Sequence, residues 1–256
     1  MVNNEWIFRF AQNYDARAHM HVEVALLKEL ENKMSFAIPR VAYYFPHSYC
    51  FGYRKIHGVS LTKESYFSFN ELGKKQLCDD LSRFLVELEN CVSIADARKI
   101  GLPTADWPMA SIDLNKKLTH LEGTLKTIFD NVIDRYALLE KDTELVAVVH
   151  NDLHGDNILI DDKTGKLIGI IDFSSTAIGS IYHEFRYLHL IDISLVEQVV
   201  EAYSKLSGKQ LNTQDAYAYC LATEFSRLVQ AQERNNTQKV AAISQRIMNL
   251  VTAQNP

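Results

Sequence analysis

Apolar and polar residues alternate first at a period of two. The run "EWIFRF" at residues 5–10 places Trp, Ile and Phe among charged neighbours and predicts a strand. From about Ala16 to Lys33 the period lengthens: Met20, Val24, Leu27 and Leu30 recur at helical spacing, and Pro39 follows as a stop. "RVAYYF" and "YCFGYRKI" predict two more strands around a short turn at Pro46 and His47. After Gly58 the pattern becomes helical, with "NELGKKQLCDDLSRFLVELEN" and "SIDLNKKLTHLEGTLKTIFDNVIDRYALLE" both amphipathic, and so does the remainder from Leu188 to Ala253. One stretch interrupts the helices. Between Val149 and Phe173, "VHNDLHGDNILIDDKTGKLIGIIDF", two apolar runs flank a "DDKTG" turn and predict a hairpin, and six polar residues crowd in front of it.

Composition narrows what this pattern can do. The chain has 256 residues, 47% hydrophobic and 23% charged, enough to bury a sizeable core. Its net charge of -5 argues against a nucleic-acid partner, which calls for clustered Lys and Arg. A neutral or cationic small molecule suits it better. Cys50, Cys78, Cys91 and Cys220 are scattered, with no CxxC pair and no signal peptide, which points to free thiols in a cytoplasmic protein. No apolar run is long enough to span a membrane.

The spacing in the polar cluster carries chemistry. His150 and Asp152 are separated by one residue, Asn157 follows Asp152 by five, and Asp172 closes the next apolar run. Phosphoryl transfer needs one carboxylate near the acceptor hydroxyl, and an amide oxygen with a second carboxylate to hold Mg2+ against nucleotide phosphates. Antiparallel pairing of the hairpin brings Asn157 and Asp172 to the same end.

"HNDLHGDNILID" followed by "IIDF" resembles the catalytic loop and metal-binding segment of the aminoglycoside phosphotransferase and choline kinase group, relatives of protein kinases. "EWIFRF", "IPRVAYY" and "FGYRKIHGVSLT" are similar to the aminoglycoside 2''-phosphotransferases in particular. The resemblance implies an α+β, protein-kinase-like fold of two lobes: a small antiparallel-sheet N-lobe over residues 1–57 and a large, mainly helical C-lobe over residues 58–256, with the catalytic hairpin at 148–173. It implies transfer of the γ-phosphate of ATP or GTP, with Mg2+, to a hydroxyl of an aminoglycoside-like substrate. Choline, a sugar or another amino alcohol stands behind that acceptor, and a kinase-like binding protein without turnover is the alternative.

Carried over by residue, the resemblance makes Asp152 the catalytic base, Asn157 and Asp172 the metal ligands, and His150 a structural support of the loop. Arg9 stands where the family places a phosphate-gripping lysine, with Glu23 as its partner. Tyr53, Arg54 and Ile56 fall at the nucleotide hinge. Glu184, Asp192, Glu197 and Glu224 are the carboxylates available to a cationic substrate, and Glu184 has a second reading as a brace of the catalytic loop. Three departures accompany the match. Asn151 and Ser174 replace glycines of the family pattern, and the strand pair that covers the nucleotide phosphates is missing upstream of Trp6. That absence implies a truncated N-lobe whose first strand lies at a sheet edge, open to self-association.

Overall fold

The computed structural model describes residues 1–254. Strand β1 (Trp6–Phe10) leads into helix α1 (Tyr14–Leu30), followed by β2 (Val41–Phe45) and β3 (Cys50–Arg54). The three strands form an antiparallel sheet in the order β1-β3-β2. Cys50, Phe51 and Tyr53 of the central strand are buried, as are Met20, Val24, Leu27 and Leu30 of α1, so the face predicted from helical spacing is the face that packs. Asn13 caps α1 by accepting from the Ala16 amide at 2.8 Å. The helix stops before Lys33, and Asn32 adopts the left-handed conformation (φ 63°).

The chain then forms β4 (Val59–Ser60), α2 (Lys63–Ser68), α3 (Glu71–Cys91), α4 (Ile94–Ile100), α5 (Ser111–Lys117) and α6 (Gly123–Leu139). Beyond them lie β5 (Val146–Val149), β6 (Ile158–Ile160), β7 (Leu167–Ile170) and β8 (Ala177–Ser180), and then α7 (Ile193–Ser207), α8 (Thr213–Glu233) and α9 (Thr237–Gln254). The architecture is the expected small antiparallel sheets with a large helical part.

Two details differ from the sequence expectation. The amphipathic run 111–140 is two helices, because the chain turns at 118–122 and Gly123 starts the second at φ 58°. Strand structure also extends beyond the hairpin: β4 adds a third strand to β6 and β7, and β5 pairs with β8. These strands are two to four residues long, too short for a period of two to show.

The two small ladders position the polar cluster. Residues 150–157 leave β5 and enter β6, while residues 171–176 leave β7 and enter β8, so each segment is pinned at both ends. A third attachment comes from the first sheet's side: the Ala37 amide donates to the Ile168 carbonyl at 3.1 Å, and the Ile170 amide donates to the Ala37 carbonyl at 3.0 Å. Gly169 permits that approach, since a Cβ there would run into the Ala37 carbonyl.

Candidate active site

Asn157 immediately precedes β6, and the Ile171 amide donates to its carbonyl at 3.0 Å. That bond brings the next residue, Asp172, to the same end of the hairpin. Asp172 takes a left-handed backbone (φ 64°), and its Oδ1 accepts from the Ser174 hydroxyl at 2.7 Å. The same oxygen lies 2.8 Å from the Arg9 guanidinium, which also donates to Glu23 at 2.7 Å. One guanidinium thereby joins β1, α1 and the hairpin. Burial pushes the Asp172 carboxyl up, but Arg9 and the Ser174 hydrogen bonds outweigh it and hold Asp172 below the usual carboxylate range. Glu23 is more deeply buried, and burial drives it up to about 7 against the attraction of Arg9.

Asp152 lies across from this group. Asn157 donates through Nδ2 to the Asp152 carbonyl at 2.8 Å and to its carboxylate at 3.1 Å. The Asp152 carboxylate also sits 3.5 Å from His154, and this hydrogen bond raises the pKa of His154. Asp152 is held in place with its side chain 29% exposed, reachable from solvent.

Beneath the loop is a buried polar layer. His150 donates from Nε2 to the Ile171 carbonyl at 3.1 Å and packs edge-on against Phe173. Burial lowers its pKa to about 4, so the ring is neutral at pH 7 and is a strut rather than a charge. Glu184 accepts from the backbone amides of His150 and Asn151. Arg186, 1% exposed, donates to both the side-chain and the backbone oxygen of Asn151, whose Nδ2 donates to the Ser175 carbonyl at 3.0 Å. Asn151 sits at φ 66°, a conformation that glycine enters freely and Asn tolerates.

Of the residues expected at the hinge, Tyr53 is buried and stacks on Phe51, over which Arg9 also lies at 5.9 Å. Arg54 is exposed, with its guanidinium over the Trp6 ring at 5.4 Å. Ile56 belongs to the segment between β3 and β4 that is in no strand.

A cavity of about 450 Å³ opens at Asp152 and is lined by Asn151, Asp106, Trp107, Arg186 and Arg227 among others. The carboxylates nominated for a cationic substrate are elsewhere. Glu184 is under the loop as its brace, Asp192 caps α7 by accepting from Ser194 at 2.9 Å, and Glu197 accepts from the Tyr217 hydroxyl. Glu224 is buried between Arg227 and Arg246, 2.7 Å from each. None of the four lines this cavity, because each is committed to an internal partner. Asp106, Trp107, Arg186 and Arg227 went unread. Only Arg186 left a sequence signal: with Glu184 it places two charges inside the apolar run "IYHEFRYLHL".

The donor set fits a hard divalent cation. The hydrogen bonds of the Asn157 side chain run through Nδ2 and the contacts of Asp172 run through Oδ1, so one oxygen of each is left over. Two oxygens suit Mg2+, which retains waters and takes phosphate oxygens. Among the described residues no cluster of three His, Cys, Asp or Glu side chains offers a competing metal site.

A model of the phosphotransferase enzyme family matches residues 2–219. The chain belongs to this family. Solved phosphotransferase structures share its fold: the GDP complex of wild-type aminoglycoside 2'-phosphotransferase-IIIa is 20% identical over 99% of this chain and 88% of the other, with a TM-score of 0.83. The streptomycin–ATP ternary complex of APH(2")-IIa is 22% identical over 89% and 79%, with a TM-score of 0.64. A macrolide 2'-phosphotransferase from Brachybacterium faecium, MphH, is 13% identical over 94% and 84%, with a TM-score of 0.67. At these identities the likeness shows the kinase-like fold alone. Within this phosphotransferase fold, Asn151 and Ser174 leave the loop intact: the first holds the left-handed turn, and the second supplies a hydroxyl to Asp172.

Proposed function

We propose that the protein transfers the γ-phosphate of ATP or GTP to a hydroxyl of a small molecule held beside Asp152. The observation that carries this reading is the hairpin end, where Asp152, Asn157 and Asp172 converge while Arg9 reaches the same carboxylate from β1. Asp152 orients the acceptor hydroxyl and takes its proton. Asn157 fixes Asp152 and, with Asp172, holds Mg2+, which when bound neutralises charge on the transferring phosphate. Arg9 holds the α and β phosphates and gives up part of its contact with Asp172 to do so. Tyr53, Arg54 and Ile56 frame the base. The division of lobes at 57/58 is supported by β4, which begins at Val59 and pairs with the hairpin.

The aminoglycoside reading is supported by the kanamycin complex of APH(2")-IIIa, a structural neighbour, and by two carboxylates at the cavity, Asp106 and Asp152. Four free thiols agree with a cytoplasmic setting, and among the described residues no helix is long and apolar enough to cross a membrane. Self-association through β1, an edge strand with Phe10 exposed, would show as dimer in solution scattering at high concentration; a monodisperse monomer would count against it.

The test is phosphate transfer from ATP and GTP to a panel of hydroxylated acceptors. Asp152→Asn should lower kcat by about 10²–10⁴ and spare nucleotide affinity. Asp172→Ala should damage both. Nucleotide binding without transfer to any acceptor would favour the binding-protein alternative, and no nucleotide binding would defeat the kinase reading.

A further inference from the structure

A second cavity, of about 350 Å³, lies between α8 and α9 and carries the opposite charge from a polycation site. Its ionisable lining is Arg227, Arg234, Lys239 and Arg246, with no carboxylate among the lining residues. Among the described residues the acid paired with these cations is Glu224, buried beneath, and its two oxygens are taken by Arg227, Arg246 and His189. Arg234 and Lys239 are exposed and have no ion pair among the described residues. Four cations over one acid leave a net charge of about +3 in a concave site, in a chain whose own net charge is -5. The amino end of the eighteen-residue α9 faces the cavity with Asn236 and Lys239 on its wall, and Asn236 caps the helix by accepting from the Lys239 amide at 3.0 Å.

The basic cavity adjoins the cavity at Asp152, and Arg227 and Gln230 line both. Arg227 stacks on one face of the system formed with Tyr187 at 4.8 Å, and Arg186 approaches the same ring at 4.6 Å. Arg186 also lines the acceptor cavity, and its buried Nε has no partner. Beyond Asp106 and Asp152, the way toward α9 is therefore flanked by cations. A polycationic acceptor entering it would meet like charge, which costs affinity.

We infer that the α8–α9 cavity binds the anionic end, phosphate or carboxylate, of a hydroxylated acceptor whose hydroxyl reaches Asp152. This deepens the kinase reading and rests on it for the role of the bound molecule, whereas the anion site itself can be tested without turnover. Calorimetric titrations with glycerol 3-phosphate, glucose 6-phosphate, gluconate and kanamycin are compared between wild type and the Arg234→Glu, Lys239→Glu double variant. An unchanged unfolding midpoint shows that the variant is folded. Anions that occupy the nucleotide phosphate site bind both proteins equally, so only the difference reports on α8–α9.

The expected result is binding of at least one of the three anions, weakened about tenfold or more in the variant, as charge reversal demands. Kanamycin should bind the variant more tightly than wild type. Anions that bind equally to both proteins, or none that binds, would overturn the inference, as would tighter binding of kanamycin to wild type. Transfer assays on the same panel separate the two readings: phosphorylation of kanamycin but of no anion, with anions binding both proteins equally, keeps the kinase and removes the anion site. Anion binding lost in the variant, with no nucleotide binding, keeps the anion site and removes the kinase.

Discussion

Asn151 combines two constraints at one residue, a left-handed backbone and an anchor for a buried arginine. Its φ of 66° costs an alanine roughly 1 kcal/mol that glycine avoids. Its side-chain oxygen accepts from Arg186 at 2.6 Å, and a hydrogen bond to a charged group contributes about 1.5–3 kcal/mol. Asn151→Ala should therefore destabilise the protein by about 2–4 kcal/mol, and Asn151→Gly by about 1 kcal/mol less, because only the strain is relieved. Urea unfolding of the three proteins measures both; equal losses would mean that the backbone conformation carries none of the cost. Glu224 makes a residue-scale prediction about pH. Burial pushes its carboxyl up, but the hydrogen bond from His189 and the charges of His189, Arg227 and Arg246 outweigh burial and hold it down at about 2, against 4.5 when free. A depressed carboxyl stabilises the fold above its unfolded pKa and loses that contribution as pH falls through the folded value. The difference in stability between wild type and Glu224→Gln should be about 3 kcal/mol near pH 7 and should shrink as pH falls from about 4.5 toward 2. A difference that stays constant between pH 7 and pH 3 would show that the ion pairs contribute little.

At the scale of elements, the hairpin is held from outside by the bonds between Ala37 and the backbone of β7. Gly169→Ala would force a methyl group into the Ala37 carbonyl, so the segment before β2 must lift away from β7. Overpacking of this kind costs about 1–3 kcal/mol and should also separate Arg9 from Asp172, because the first sheet moves with that segment. Hydrogen exchange at the amides of Ala37 and Ile170 should accelerate in Gly169→Ala ahead of the α8 amides; uniform acceleration would indicate global rather than local loosening. This contact also shows where the sequence was legible. Helix α1 and the first sheet could be read because each is a local pattern with enough residues to show its period, and the hairpin because two apolar runs flank a turn signal. The pairing of Arg9 with Glu23 could be read only through resemblance, as the two are far apart in the chain, and the bond from Arg9 to Asp172 was not legible at all. The cavity at Asp152 was not legible. It joins Asp106 and Trp107, from the segment before α5, to Arg227 on α8, and nothing in the spacing of those residues signals that they meet. The four carboxylates nominated for a cationic substrate lie away from this cavity for the converse reason: acidic residues at intervals look alike whether they face a ligand, cap a helix as Asp192 does, or neutralise buried arginines as Glu224 does.

Across the whole molecule, Arg9 is the point at which the sheet of β1 to β3 is electrically tied to the hairpin, and the tie uses an oxygen of the carboxylate proposed to hold metal. A cation approaching Asp172 must share that carboxylate with a guanidinium 2.8 Å away, and the ligands proposed from the protein are two, Asn157 and Asp172. Mg2+ alone should thus bind weakly, since it gives up hydration for two oxygens and meets the positive charge of Arg9. Nucleotide changes the balance: its phosphates draw Arg9 and add oxygens to the metal, so each ligand strengthens the other's binding. Global stability reads this coupling directly. At a nucleotide concentration about 100 times Kd the native state gains about 2.7 kcal/mol. For a chain of 256 residues this should raise Tm by about 5–10 °C when Mg2+ and nucleotide are present together. Mg2+ without nucleotide should leave Tm nearly unchanged, and Asp172→Ala should lose most of the joint shift while its own unfolding stays cooperative. A large shift with Mg2+ alone, retained in Asp172→Ala, would place the metal somewhere other than the hairpin end.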